Sequence, residues 1–343
     1  MNARERVYRA ITMTGPDRAP IHHYIFPGAF YRHGEALVRI TQQYPDDFGN
    51  AALTPNLREQ EGEAATMQVI EWRDAWGTLW RRLAGYTSGD VVEPGIPTWD
   101  VWQDYQVPPP PGPEHFAEVR RRFVAERGRL LLRGSGGSLF QHLQHVRGPA
   151  NLLMDLADDR PEVHELADAV VDRLLYCIRE YLAAGAECIT FGDDWGAQDR
   201  LLASPATWRR FFKPRYKRMF DVIKDAGALV WFHSDGWILE IIPDLIEIGV
   251  DVLNPQHKIM GDERVAALAA GKVCIRTDID RQWLIPQGTP EEIREYVKYV
   301  LKLFGDYNGG IILHGEVGPD VPLENVQALY SAFYDCGRYP LSF

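Results

Sequence analysis

The feature that most limits how this chain can fold is a rhythm in its second half. Short apolar runs occur at 187–191, 228–232, 250–253, 272–276 and 310–313. Each is too short for a helix of average length and rich in the β-branched and aromatic residues that suit strands. The stretches between them carry helix punctuation. Ser204-Pro205 is a cap followed by proline at the first helical position, and Gly227, Gly249 and Gly271 stand where helices would close. Helices are therefore expected at about 205–212, 214–226, 262–270, 290–304 and 323–335, with another around Pro243. Strands joined by helical crossovers lie parallel. A long series of them predicts an α/β protein of the (β/α)8 TIM-barrel kind. An open doubly wound sheet is the alternative, and no Gly-x-Gly-x-x-Gly follows an early strand to support it.

The first half is less regular. A helix is expected at 2–14, a strand at 19–26 and a helix at 30–43. An irregular insertion then runs from about 45 to 113, holding Trp72, Trp76, Trp80, Trp99 and Trp102 and ending in the proline-rich run 108–113. Trp72, Trp76 and Trp80 fit a helical stripe, but Gly77-Thr78 fits a hairpin equally well. After a helix at 115–126, residues 129–133 read as a strand and the cluster Gly134-Ser135-Gly136-Gly137-Ser138 as a tight turn; helices follow at 151–156 and 161–182. With 343 residues, the whole reads as a single barrel domain spanning 1–343, with N-terminal additions of helices and a hairpin-like insertion.

Charge and cysteine usage exclude several classes. The net charge is -11 and no long basic run occurs, which argues against nucleic acid or an anionic membrane as partner. Cys177, Cys188, Cys274 and Cys336 form no Cys-x-x-Cys pair and read as reduced thiols. The N-terminus lacks the apolar core of a signal peptide, and no apolar run is long enough to span a membrane. A cytoplasmic protein acting on a small molecule is expected.

The strand ends carry the chemistry. They read His22-His23, Ser135, Asp193-Asp194, His233-Ser234-Asp235, Asn254 with Gln256 and His257, Asp278, and His314-Gly315-Glu316. In a parallel barrel such ends converge on one mouth. A concentration of polar groups there is costly unless they are paired, metal-bound or catalytic. His233 and Asp235, with His314 or Glu316, offer nitrogen and oxygen ligands to zinc or a similar divalent ion; the plainer reading is that Asp235 caps the next helix. Trp195, Trp231 and Trp237 flank the strand ends, as an aromatic wall or as ordinary packing.

Several blocks together resemble a known family. They are the run Phe191-Gly-Asp-Asp-Trp-Gly-Ala-Gln198, Ser204-Pro205, Phe212-Lys-Pro-Arg-Tyr216, Phe232-His-Ser-Asp-Gly236, Gly249-Val-Asp-Val-Leu-Asn-Pro-Gln256 and Gly318-Pro-Asp-Val-Pro322, with Arg4-Glu-Arg-Val7 and Pro16-Asp-Arg18 at the start. This combination is similar to the uroporphyrinogen decarboxylase superfamily over essentially the whole chain. The true decarboxylases carry an arginine-rich segment after the first strand that holds a polyanionic porphyrinogen. Here that place reads His22-His-Tyr-Ile-Phe-Pro-Gly28, with Arg32 the nearest arginine. The resemblance is therefore nearer to the branch of cobalamin-linked methyltransferases. Those bind zinc through His-x-Cys after one strand and a cysteine near the last strand. His233 matches the histidine, Asp235 stands at the first cysteine, and Gly315, between His314 and Glu316, falls near the second.

The resemblance implies a methyltransferase-like enzyme moving a methyl group between a corrinoid, or a corrinoid protein, and a small acceptor. In this reading a metal site is made of His233, Asp235, His314 and Glu316. Catalytic roles fall to His233, Asp193 and Asp194, and substrate contacts to Asn254, Gln256, His257, Trp195 and His23. The alternatives are a decarboxylase of a small carboxylated substrate using Asp/His acid–base chemistry, and a non-catalytic binding barrel.

Overall fold

A computed structural model of the chain describes residues 1–49, 68–83 and 89–343. Its strands are β1 (Ile21–Ile25), β2 (Val69–Arg73), β3 (Leu79–Leu83), β4 (Asp90–Glu93), β5 (Arg133–Gly137), β6 (Cys188–Gly192), β7 (Leu229–Ser234), β8 (Val252–Pro255), β9 (Cys274–Arg276) and β10 (Ile311–Val317). Seven of them form one curled parallel sheet in the order β1-β10-β9-β8-β7-β6-β5. The fold is α/β and TIM-barrel-like, as the rhythm predicts, but the described residues pair seven strands and not eight. Between the edge strands β1 and β5 lies the segment 46–49. Asp47 donates its N–H to the Ile21 carbonyl at 2.9 Å and the Asp46 carboxylate accepts the His23 N–H at 2.7 Å. On the other side the Phe48 ring lies 4.8 Å from the Arg133 guanidinium carbon. Among the described residues only side-chain and single backbone contacts link the two edge strands here, along a seam.

The run 134–137, read from sequence as a turn, lies within strand β5. Glycine normally weakens a strand. Here it is required by close packing from the helix Pro161–Ala183 and from β6. A Cβ at Gly134 would fall 2.6 Å from the Tyr181 side chain, and one at Gly136 would fall 2.5 Å from the Phe191 ring. Of the irregular stretch 45–113, residues 50–67 and 84–88 lie outside the described residues. The rest includes an antiparallel sheet, β2-β3-β4, in which Trp72 pairs with Trp80 and the two rings stack 6.0 Å apart. The tryptophans thus follow hairpin geometry and not a helical stripe.

Strand alternation sorts every side chain to one side of the sheet. Cys188, Trp231, Val252, Cys274 and Ile312 face the barrel interior and pack with Val7 and Ile11 of the helix Ala3–Ile11. That helix closes the bottom, and burying each of its two aliphatic side chains contributes about 1.5–3 kcal/mol. The outward residues Ile189, Phe232, Leu253, Ile275 and Leu313 pack beneath the helical layer. Polar interior residues sit above the apolar floor, toward the C-terminal strand ends. Among the described residues no helix is long and apolar enough to cross a membrane, and all four cysteines are free and buried.

Candidate active site at the strand ends

The mouth is organised by two turns docked backbone to backbone. The turn after β6 and the turn after β7 are joined by Gly196 N–H to the Asp235 carbonyl at 3.1 Å and by Trp237 N–H to the Ala197 carbonyl at 2.8 Å. The contact demands glycine on both sides. A Cβ at Gly196 would lie 2.0 Å from the Trp237 nitrogen, and Gly236 has φ +77°. This docking sets Asp194 against Asp235, whose N–H donates to Asp194 Oδ1 at 2.9 Å. The other Asp194 oxygen accepts from Gln141 Nε2 at 2.6 Å.

His233 points into the same space. Its Nδ1 lies 3.1 Å from the Asn254 carbonyl oxygen. A carbonyl only accepts, so Nδ1 carries a proton and Nε2 is the nitrogen directed at the mouth. That nitrogen is 3.5 Å from Asp235 Oδ1 and 3.7 Å from Asp194 Oδ1. One ligand atom each from Asp194, His233 and Asp235 lie within 4.8 Å of one another.

Arg281, from the loop after β9, faces this group. It donates to Asp235 Oδ1 at 2.8 Å, is hydrogen-bonded to Glu316, and lies 3.7 Å from Asp278 Oδ2. Three carboxylates around one guanidinium hold its pKa above the ordinary value. Asp278 is buried with Oδ1 unpaired among the described residues, and burial pushes its carboxyl up to about 7 against the pull of Arg281. Deeper in the interior, Arg276 donates Nε–H to His22 Nδ1 at 2.9 Å and is hydrogen-bonded to Asn254 Oδ1. Burial lowers its pKa to about 9.

The predicted site residues divide sharply. His233, Asp194 and Asp235 come together. His314 and Glu316 do not join these three: His314 is buried with Nδ1 on the Thr277 carbonyl at 2.8 Å, and Glu316 is held by Arg281. Asp193, expected beside Asp194 in catalysis, points the other way. Its carboxylate accepts the backbone N–H groups of Leu139, Phe140 and Gln141 at 2.6–2.8 Å, plus the Tyr216 hydroxyl. It thereby caps the helix Phe140–Arg147 from a distance. Burial still pushes its carboxyl up to about 6.

Trp195 is fully buried, stacked 3.9 Å from the Phe140 ring, and forms no wall of the mouth. His257 is buried between Asp262, at 2.6 Å, and the Asp278 N–H, and so supports the loop after β9. Asn254 and Gln256 brace backbone, Asn254 Nδ2 donating to the Arg276 carbonyl at 2.9 Å and Gln256 Oε1 accepting the Gly236 N–H at 2.7 Å, and Gln256 also lines the cavity beside Asp278 and Arg281. His23 faces outward onto the Tyr330 ring, 4.3 Å away. Its neighbours His22 and Tyr24 are the interior pair of β1, with rings 6.1 and 5.9 Å from that of His314.

Sequence reasoning missed Arg276 and Arg281. Alternation along β9 from Cys274 would have turned Arg276 inward; no local pattern marks Arg281, which lies in the loop beyond the strand.

Comparison with known proteins agrees with this architecture. Residues 86–335 match the family model described as Uroporphyrinogen decarboxylase (URO-D). The uroporphyrinogen decarboxylase of Thermus thermophilus is 32% identical over 168 residues, covering 48% of this chain and 46% of that protein. That of Carboxydothermus hydrogenoformans is 24% identical over 227 residues, covering 64% and 61%. The chain thus spans about half the length of the first of these relatives. Among solved structures, a methyltransferase from Methanosarcina mazei superposes with a TM-score of 0.62 over 98% of this chain and 99% of that one, at 15% identity, a likeness of fold alone. The chain belongs to the uroporphyrinogen decarboxylase (URO-D) family.

Proposed function

We propose that this chain is a methyltransferase-like enzyme that moves a methyl group between a corrinoid and a small acceptor, assisted by a divalent metal ion held by Asp194, His233 and Asp235. The observation that carries this reading is the orientation of His233. Its Nδ1–H is tied to the Asn254 carbonyl, leaving Nε2 directed at two carboxylates. Metal-bound histidines are commonly oriented in this way by the partner of their other nitrogen. One imidazole and two carboxylates fit zinc or a related first-row ion. When bound, such an ion lowers the pKa of an acceptor thiol or water near neutral pH.

The protein's own groups then have definite tasks. Gln141 and the Asp235 N–H fix the two oxygens of Asp194. Arg281 steadies Asp235 and Glu316 and supplies positive charge for an anionic substrate group. Asp278, titrating near neutrality, holds or releases a proton at the inner wall. The cavity beside Asp278 and Arg281 is about 120 Å³, a volume for a small acceptor and not for a corrinoid, which would present its methyl group from outside the mouth, carried by a corrinoid protein.

A second reading, decarboxylation of a small carboxylated substrate, is favoured by one observation. Asp278 is raised to about 7 beside the cations Arg276 and Arg281, the pairing needed to hold a carboxylate and protonate a carbanion. The Thermus and Carboxydothermus relatives bear the name of a decarboxylase. The test is metal content of the purified protein beside His233→Ala and Asp194→Asn, followed by transfer from methylcobalamin to a thiol with and without chelator. Stoichiometric metal in the wild type, lost in both variants, with chelator-sensitive transfer, supports the methyltransferase. Equal metal in all three, or none in any, removes it.

A further inference from the structure

A second cavity, of about 460 Å³, opens at the seam, where the described residues pair no strand between β1 and β5. Its lining includes Phe48 on one side, Arg133 and Ser135 of β5, Thr190 of β6, and Arg122 and Glu126 of the helix Pro113–Glu126. None of these residues belongs to the mouth.

Arg133 is the unusual member. It stands on the interior face of β5, beside the apolar floor of the barrel. Its guanidinium carbon lies 4.8 Å from the centre of the Phe48 ring and 5.7 Å from that of Trp231. Among the described residues it has neither a hydrogen-bond acceptor nor an ion-pair partner. The nearby carboxylates Asp46 and Glu126 act on it only across a gap, and burial lowers its pKa from the usual arginine value. An arginine so placed presents five donors and a charge that is costly to bury alone. Arg281 and Arg276 of the same barrel both have hydrogen-bond partners; Arg133 faces a cavity instead.

The rest of the lining suits one kind of occupant. Ser135 Oγ accepts the Gly137 N–H at 3.2 Å, which leaves its own O–H free to donate. Arg122 adds a second guanidinium at the rim. Glu126, on the same wall, repels an anion at its own end and accepts from a hydroxyl or amino group. We propose that this seam is a second binding site, for a small organic anion whose carboxylate or phosphate pairs with Arg133 and whose hydroxyl or amino group meets Glu126. The site stands independently of the chemistry at the mouth.

Calorimetric titration of the full chain with citrate and with inorganic phosphate, against chloride at matched ionic strength, tests it and separates the two anion classes. Saturable binding of at least one is expected. Arg133→Met, which replaces a half-buried charge by an apolar side chain of similar length, should weaken it by about tenfold or more, the scale of one lost charge-assisted contact. Arg122→Gln, at the exposed rim, should weaken it several-fold without risk to folding, and His233→Ala should leave it unchanged. Saturable binding of neither anion overturns the proposal. So does undiminished binding by a folded Arg133→Met protein, or loss of binding in His233→Ala, which would place the anion at the mouth.

Discussion

Asp193 and Asp194 are neighbours in sequence with opposite tasks, and replacing each by alanine separates them. In Asp193→Ala, the Leu139, Phe140 and Gln141 N–H groups and the Tyr216 hydroxyl lose their acceptor. Each buried donor left unpaired costs about 1–3 kcal/mol, so four amount to roughly 4 at the low end and about 8 at mid-range. Part of this is offset. Burial lifts the Asp193 carboxyl to about 6 from an ordinary value of 3.8, and ionising it at neutral pH therefore costs about 3 kcal/mol that the variant avoids. The net expectation is a loss of about 1–5 kcal/mol. Asp194→Ala removes two contacts from a half-buried side chain and relieves its repulsion with Asp235, so its expected change is under about 1 kcal/mol.

Urea unfolding followed by circular dichroism measures both variants, compared at constant m-value. The pH dependence adds a second reading. Because the folded pKa of Asp193 is raised, the stability its protonation contributes is fully present below about 4 and is lost as pH rises through about 6. The gap between wild type and Asp193→Ala should therefore widen as pH falls from 7 to 4.5. Equal stability of the two variants, or a larger loss in Asp194→Ala, would refute the assignment of Asp193 as the anchor of the helix Phe140–Arg147.

Three further outcomes are expected. Arg281→Met should tighten divalent-metal binding by about tenfold, since the guanidinium competes for Asp235 Oδ1 and about 1.4 kcal/mol of lost competition gives that factor; isothermal titration with zinc reads it, and weaker binding would contradict it. Gly196→Ala should abolish metal binding although it substitutes no ligand residue, because a Cβ there forces apart the turns that carry Asp194 and Asp235; a variant that retains the metal would show the docking to be dispensable. In Asp278→Asn, a group raised to about 7 by burial is neutralised. Wild-type stability from its protonation is present below about 4 and lost as pH rises through 7, so the variant should gain on the wild type between pH 5 and pH 8, and a constant difference across that range would be the adverse result.

The sequence by itself determined the strand–helix rhythm, the parallel sheet it implies and the set of polar strand ends. These follow from local rules: alternation needs only neighbouring residues, and crossovers need only chain length. His233 and Asp235 were legible as a pair because both end one strand. The direction of most other candidates was not. Asp193 and Asp194 look alike in sequence, and only the position of the helix Phe140–Arg147 turns one into a buried anchor. His23 and His22 differ by one residue, which places them on opposite sides of β1. The glycine run at 134–137 reads as a turn until the closeness of Tyr181 and Phe191 explains why a strand there can bear no side chains. Arg281 reaches the mouth from a loop with no periodic signal, and Arg133 is marked out only in three dimensions, by lacking a hydrogen-bond or ion-pair partner among the described residues. Local pattern assigns a residue to an element; which carboxylate meets which cation is decided by contacts between elements distant in the chain.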